Sequence, residues 1–158
     1  MGTASLIAAS IAILLLVITA YVLIGGTIAT AEVVMSAQRE AASSNADQIR
    51  TGITIMGTLT DAPSSVIYIT VENSGNVPVT DFDHMDLFLA QGGFPVHYHY
   101  GTDANSWSLV SIEPDDIHPR QLDPDETMNI SVAFGSEVPT WIQVATSNGI
   151  CDSAYVGD

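Results

Sequence analysis

An uninterrupted apolar stretch near the N-terminus limits what this chain can fold into more than any other feature does. It runs from Leu6 to Ile24, and its most polar residues are Ser10, Thr19 and Tyr21. Roughly 19 helical residues span about 28 Å, which is the hydrocarbon thickness of a bilayer. One small domain cannot cover a helix that is apolar on every face. The stretch therefore predicts a helix that lies in a membrane or packs among other helices in a filament core.

The segment after Gly25 and Gly26 is predicted to continue the same helix to about Arg50. It contains no proline and is rich in Ala, Glu, Gln and Met, which are good helix formers. Its first charged residue is Glu32. We therefore expect residues 1–51 to form one long N-terminal helix that is hydrophobic to about residue 31 and amphipathic beyond it.

After Arg50 the hydrophobic period changes from that of a helix to that of a strand. Ile53–Thr60 and Ser65–Asn73 alternate between the two faces expected of half-buried strands. Five further segments are predicted strands: Met85–Gln91, Phe94–Tyr100, Trp107–Ile112, Thr127–Phe134 and Thr140–Ser147. Short strands separated by Gly, Pro, Asn and Asp turns indicate an antiparallel, immunoglobulin-like β-sandwich. The predicted fold class is α+β, with the sandwich over residues 52–158.

One of the connections between strands carries the strongest turn signal in the chain. It is Asn73-Ser74-Gly75-Asn76. Asn and Gly tolerate a positive φ, so we expect a turn here.

The distribution of charge excludes some functions and favours one location. The chain has 18 acids and only three cations, all arginine, for a net charge of −15. Only three of the acids precede residue 52, so the predicted sandwich carries fifteen acids against Arg120 alone, a net of −14. Nucleic-acid binding is excluded, since a polyanion requires a basic face. Such an acidic surface suits an extracytoplasmic or high-salt setting.

Candidate metal ligands occur, but no complete ligand set does. His97 and His99 are two residues apart on a predicted strand, so both imidazoles lie on one face. Asp81, Asp83 and Asp86 resemble a hard-cation cluster without matching the twelve-residue calcium loop. We therefore predict no metal site and no cofactor.

Sequence signatures of catalysis are missing. The chain has no lysine, no glycine-rich phosphate loop and no nucleophile elbow. The single cysteine, Cys151, has no evident base beside it, so we expect a free, half-buried thiol. The chain is not expected to be an enzyme.

Other residues are candidates for contact with lipid, protein or glycan. Asn129-Ile130-Ser131 is a possible N-glycosylation site. An aromatic face around Tyr98, Tyr100 and Trp107 is a possible protein interface. The candidate membrane or helix-packing positions are Leu6, Ala8, Ala12, Leu15, Leu16, Val22, Gly25 and Gly26.

The order of these features resembles a known protein family. An uncharged N-terminus, an apolar helix that becomes polar, and an acidic all-β domain are similar to the archaeal type IV pilin-like proteins of the archaellum, the archaeal flagellum. The stretches Val66–Gly92 and Pro139–Val156 resemble in particular the accessory proteins F and G of its stator. The resemblance covers most of the chain.

The resemblance implies a non-enzymatic structural protein that is anchored in the cell membrane by its helix. It further implies an extracytoplasmic β domain that self-associates and contacts surface-layer protein and other archaellum components. The alternative is a polymerising, extracellular filament subunit whose helices pack in the filament core. Two departures bear on processing, since no basic residue precedes Leu6 and Ser5 stands where bacterial pilins have an acid. The chain is either unprocessed or already mature.

Overall fold

The computed structural model describes residues 2–135 and 137–157, which form one helix and eight strands. The helix α1 spans Gly2–Arg50. The strands are β1 (Thr54–Asp61), β2 (Val66–Glu72), β3 (Asp86–Gln91), β4 (Phe94–Tyr100), β5 (Ser106–Glu113), β6 (Thr127–Ala133), β7 (Trp141–Ala145) and β8 (Cys151–Tyr155). All seven segments that alternate or are rich in β-formers are strands, and β8 is an additional one.

Helix α1 is long and apolar enough to span a membrane, and none of its residues is buried. Its 49 residues correspond to a length of about 74 Å, far more than a bilayer's apolar thickness. Its hydroxyl side chains bond to the helix itself: Ser10 Oγ donates to the Leu6 carbonyl and Thr30 Oγ1 to the Gly26 carbonyl, each at 2.9 Å. These polar groups therefore need no water in an apolar environment.

The chain divides into two compact units, and the division falls between Ser43 and Ser44. The first unit is helical. The second unit, which we call the β unit, contains all eight strands together with the end of α1, residues 44–50. The sequence places the boundary later, after residue 51, because the helical pattern continues to that point.

The strands form one eight-stranded sheet with the order β1-β2-β6-β5-β4-β3-β7-β8. Pairing is antiparallel within β1-β2-β6-β5 and within β4-β3-β7-β8, which are the two layers of the predicted sandwich. The layers are joined through β4 and β5, which pair in parallel over His99–Ser106 and Tyr100–Trp107. The α+β sandwich is confirmed, with this short parallel contact as the exception to antiparallel pairing.

The two end strands, β1 and β8, meet at a seam that nearly closes the sheet into a barrel. There the Ile55 N–H of β1 donates to Asp152 Oδ2 of β8 at 2.8 Å. Six of the seven strand pairs are antiparallel and one, β4–β5, is parallel, so β1 and β8 run in the same direction. The seam is therefore the place where the ladder of backbone hydrogen bonds is interrupted.

The core lies between the two layers and follows the predicted alternation. Ile67, Ile69 and Val71 of β2 are completely buried, whereas Tyr68 between them is exposed. The other layer contributes Leu87 and other apolar side chains to the same cluster. Burial of one side chain from every second strand position is what holds the layers together.

Two of the three predicted interface aromatics belong to this core, so the prediction was wrong for them. Tyr98 and Trp107 are each 2% exposed. The Tyr98 hydroxyl accepts a hydrogen bond from Gln91 at 2.6 Å, and Trp107 Nε1 donates to the Met85 carbonyl at 3.3 Å. Tyr100 is partly exposed and packs against Trp107 with a centroid distance of 4.8 Å. The side of β4 that faces solvent instead carries His97 and His99.

Candidate assembly surfaces

The exposed surface of α1 is the first candidate contact region. All eight positions that the sequence suggests for membrane or helix packing lie on it and are exposed. Ala8 and Ala12 are four residues apart and therefore share a face. An added Cβ at Gly25 or Gly26 would meet no atom within 4 Å, so these glycines open outward. Beside Gly26 the helix forms a shallow groove, lined by Val22, Leu23, Thr27, Thr30, Ala31 and Val34.

A second region is the helix base, which we define as residues 48–52 and the two loops that they contact within the β unit. Gln48 Nε2 donates to the Asn148 carbonyl at 2.8 Å, and Asn148 Nδ2 donates to Thr51 Oγ1 at 2.7 Å. On the other side, the Asn76 N–H donates to the Arg50 carbonyl at 2.7 Å. The terminal carbonyl groups of a helix lack partners within it, and these loops supply one.

Gly75 makes the helix base possible through close backbone contact. A Cβ at this position would overlap the Gly52 nitrogen and lie 2.6 Å from the Arg50 carbonyl oxygen. The predicted turn follows β2, but the positive-φ residues of the structure include neither Gly75 nor its neighbours in the loop, so the tolerance of Asn and Gly for a positive φ is not what this turn uses. Glycine stands here because two backbones touch, not because the backbone is left-handed.

Asn73 fixes the same loop from the inside. It is completely buried, and its amide nitrogen donates to the carbonyls of Val77 at 2.9 Å and Leu122 at 2.8 Å. Its side-chain oxygen accepts from the Gly75 N–H at 3.0 Å. Every polar atom of the side chain is thus used, as a buried amide requires.

The centre of the outer face of the β1-β2-β6-β5 layer carries uncharged polar side chains, and its acids Asp61, Glu72 and Glu113 are each the last residue of a strand. Thr70 Oγ1 donates to Asn129 Oδ1 at 2.8 Å, and Asn129 Nδ2 lies 3.3 Å from Ser111 Oγ. Ser108 and Ser131 pair at 2.9 Å. The candidate glycosylation residue Asn129 therefore lies in the middle of β6 with its amide already hydrogen-bonded.

Each of the four histidines lies next to a different aspartate. His97 Nε2 is 2.6 Å from Asp86, and His118 Nδ1 is 3.0 Å from Asp123. The other two pairs are His84 with Asp81 at 2.9 Å and His99 with Asp103 at 3.7 Å. His97 and His99 lie on one side of β4, as predicted, and that side is exposed. Within residues 2–135 and 137–157, no three His, Cys, Asp or Glu side chains converge on a point that could hold a metal ion.

The contact with Asp81 should be measurable in the titration of His84. The Asp81 carboxylate accepts a hydrogen bond from the imidazole and attracts its charge, so the pKa of His84 is raised above its ordinary value of 6.5. Protonated His84 therefore favours the folded state at pH below the unfolded pKa, and this contribution is lost as pH rises through the folded pKa. NMR titration should show a lower His84 pKa in Asp81→Asn, and a smaller change in Asp83→Asn. An unchanged pKa in Asp81→Asn would contradict the pairing.

Strand β8 contains one residue that was predicted incorrectly, Cys151, and one that was not predicted as a site residue, Asp152. Cys151 is exposed rather than half-buried, because it begins an end strand. Asp152 was not a candidate, although it bonds to β1 at the seam. The alternation of small and polar residues in Cys151–Tyr155 is the only sequence signal for this strand. Gln48 and Asn148 have no sequence signal, since their contact joins positions 100 residues apart.

Comparison with known proteins agrees with the resemblance found in the sequence. The profile of archaeal-type flagellins matches residues 2–155, which is nearly the whole chain. An uncharacterized protein of Archaeoglobus fulgidus is 26% identical over 158 residues, and the alignment covers 98% of this chain and 95% of the relative.

The fold also occurs in solved structures from Sulfolobus acidocaldarius. The archaellum periplasmic stator protein complex FlaF and FlaG matches with a TM-score of 0.53 and 17% identity, over 65% of this chain and 85% of that chain. The archaellum periplasmic stator protein FlaG matches with a TM-score of 0.54 and 17% identity, over 66% of this chain and 97% of that chain. At this identity the likeness is one of fold.

Proposed function

Because the chain belongs to the archaeal-type flagellin family, we propose that it is a non-enzymatic structural component of the archaellum machinery. In this proposal α1 anchors the protein in the cell membrane through lipid contacts, and the β unit acts outside the cytoplasm as a stator-like element. The β unit self-associates and contacts surface-layer protein or other archaellum components. Neither a cofactor nor nucleic acid takes part.

The observation that supports this proposal is that one chain combines an exposed apolar helix with an acidic β unit. An exposed apolar helix with internally bonded hydroxyls is suited to lipid. The β unit has the fold of periplasmic stator proteins. Its net charge of −14 repels anionic headgroups and supports a location in solvent outside the cell.

A polymerising filament subunit is the second candidate function. The family profile includes the helix, and the family is that of flagellins. Small side chains at Ala8, Ala12, Gly25 and Gly26 would also allow helices to approach closely in a filament core. Glycine lowers helix stability by roughly 1 kcal/mol relative to alanine, which would permit bending at Gly25-Gly26 during assembly.

We expect the double substitution Ala8→Leu and Ala12→Leu to leave both membrane retention and high-order assembly unchanged. In an anchor these positions face lipid, so any apolar side chain serves. In a filament core they face other helices, and two larger side chains would prevent close packing. The measurements are membrane fractionation and the amount of assembled protein recovered from cells. The control is Ile7→Leu with Ile11→Leu, which conserves side-chain volume on the same helix.

Retention with assembly lost would favour the filament subunit over the anchor. Cys151, which is exposed and is the only thiol of the chain, reports the side of the membrane in the same cells. A membrane-impermeant maleimide should label it without lysis. Labelling only after lysis would place the β unit in the cytoplasm and contradict the stator-like function.

A further inference from the structure

We propose that the free edge of β1 pairs in antiparallel fashion with β1 of a second copy of this chain, around a two-fold axis at Leu59. The inference deepens the proposed function, since it rests on self-association of the β unit and assigns the surface responsible. It begins with the seam, where, among the strands that the structure describes, β1 pairs with β2 alone.

The backbone groups that β1 turns to its free edge can be identified from the register. The N–H of Asn73 donates to Glu126 and that of Phe134 to Ser65, so odd-numbered residues of β2 face β6 and even-numbered ones face β1. Thr70 and Tyr68 of β2 oppose Gly57 and Leu59. Backbone directions alternate along a strand, so the N–H and C=O groups of Thr58 and Thr60 face away from β2.

The seam occupies only the first part of this edge, since β8 borders residues 55–58 and not the rest of β1. The hydrogen bond between Ile55 and Asp152 joins β1 to β8 at the start of β1 only. Beyond it the two strands border an open groove of about 360 Å³, lined by Ile55, Met56, Gly57, Thr58, Ala154 and Tyr155. Met56, which lines the groove, is 58% exposed, and Leu59, the residue just beyond the groove, is 69% exposed. An edge with free backbone groups and exposed apolar side chains is a template for strand addition.

The β unit is strongly acidic, so two copies would repel each other over most of their surface. The edge of β1 is favoured because it is nearly free of charge. Residues 54–60 contain no charged side chain, and Asp61 is the last residue of the strand. They contain neither the lysine nor the proline by which proteins usually protect an edge, although a bulge interrupts the pairing between Ile55 and Gly57. The other end strand, β8, carries Asp152 one residue from its centre, so its self-pairing would bring two carboxylates together.

A second copy fits this edge because β1 is self-complementary. With the axis at Leu59, Thr58 of one copy lies opposite Thr60 of the other, and both expose backbone donors and acceptors. The two Leu59 side chains then meet at the uncharged centre of the outer face, beside Tyr68 of each copy. The two Asp61 residues lie opposite Gly57 of the other copy, about 14 Å apart along the strands. A two-fold interface of this kind is closed and gives a dimer.

The first test is disulfide formation in the full-length protein in membranes, with Cys151→Ser as the background. Leu59→Cys should cross-link rapidly to a dimer, since directly opposed Cβ atoms lie about 4.5–5.5 Å apart. The matched control is Tyr68→Cys on the neighbouring strand, which should remain monomeric. Equal cross-linking at both positions, or cross-linking at neither, would overturn the proposal.

The second test removes one edge donor without touching the β1–β2 ladder. In the detergent-solubilised full chain, Thr58→Pro should weaken dimerisation at least about tenfold, because each dimer loses two backbone hydrogen bonds. Thr58→Val keeps the N–H and should dimerise like the unmodified protein. Salt should strengthen dimerisation, since like charges oppose it. A dimer that Thr58→Pro leaves intact would overturn the inference.

These results are independent of the role in the archaellum. A membrane-retained, externally labelled protein without Leu59 cross-links would contradict the interface alone. Cross-linking through Leu59 in a protein whose β unit is cytoplasmic would contradict the proposed function alone.

Discussion

Replacing Gly75 with alanine is expected to destabilise the β unit by about 3–5 kcal/mol, within the range of the most damaging single substitutions. The new Cβ would overlap the Gly52 nitrogen and lie 2.6 Å from the Arg50 carbonyl oxygen, and both are backbone atoms that cannot rotate away. The loop or the helix end must therefore move. That movement would break the hydrogen bond from the Asn76 N–H to the Arg50 carbonyl. Thermal unfolding should show a midpoint lower by roughly 10 °C or more.

Gly57→Ala is the matched control for this prediction. Gly57 lies in β1 without a positive φ, and an added Cβ there would meet no atom within 4 Å. Its melting temperature should change by only a few degrees. If Gly75→Ala and Gly57→Ala have the same midpoint of thermal unfolding, the close contact of the two backbones is not important for stability. Hydrogen exchange of residues 44–52 would separate loss of the helix base from loss of the whole β unit.

Replacing Trp107 with alanine is expected to cost about 3–5 kcal/mol of unfolding free energy, because it removes a large core side chain and leaves a cavity. The indole is 2% exposed and its N–H bonds to the Met85 carbonyl. Tyr155→Ala is the control, since Tyr155 is 69% exposed and its loss should cost less than about 0.5 kcal/mol. Urea unfolding measures both. A stable Trp107→Ala protein that has only lost self-association would restore the original interpretation of this residue as an interface.

Strand β4 shows what can and cannot be predicted from the sequence, because its alternation was predicted correctly and its buried face was not. The alternation of Phe94–Tyr100 correctly places His97 and His99 on one side and Tyr98 and Tyr100 on the other. It does not say which side faces the second layer. Tyr98 is buried because the other layer covers that side, and each exposed histidine lies within 4 Å of a nearby aspartate. The choice between the two faces is a property of the packed fold.

Local signals were sufficient where the determinant is local. The apolar stretch and the good helix formers after it define α1 up to Arg50, and the alternation in Val66–Glu72 defines a core strand. Gly75 shows the opposite case. A glycine near asparagine predicts a turn through its tolerance of a positive φ, yet the reason for glycine at this position is the Gly52 backbone, which only the fold brings into contact. Asp152 and Asn148 likewise act on residues nearly 100 positions away in the chain.

The helix base also determines how the β unit would bear mechanical load. A pull on residues 44–50 does not act on β1 alone, although β1 is the next strand in the chain. The Arg50 carbonyl transfers part of the force to the loop that follows β2, in the first layer. Gln48 and Thr51 transfer another part to Asn148, in the turn between β7 and β8 of the second layer. Tension is thus divided between both layers at their common end, so that β1 is not peeled from the sheet one hydrogen bond at a time.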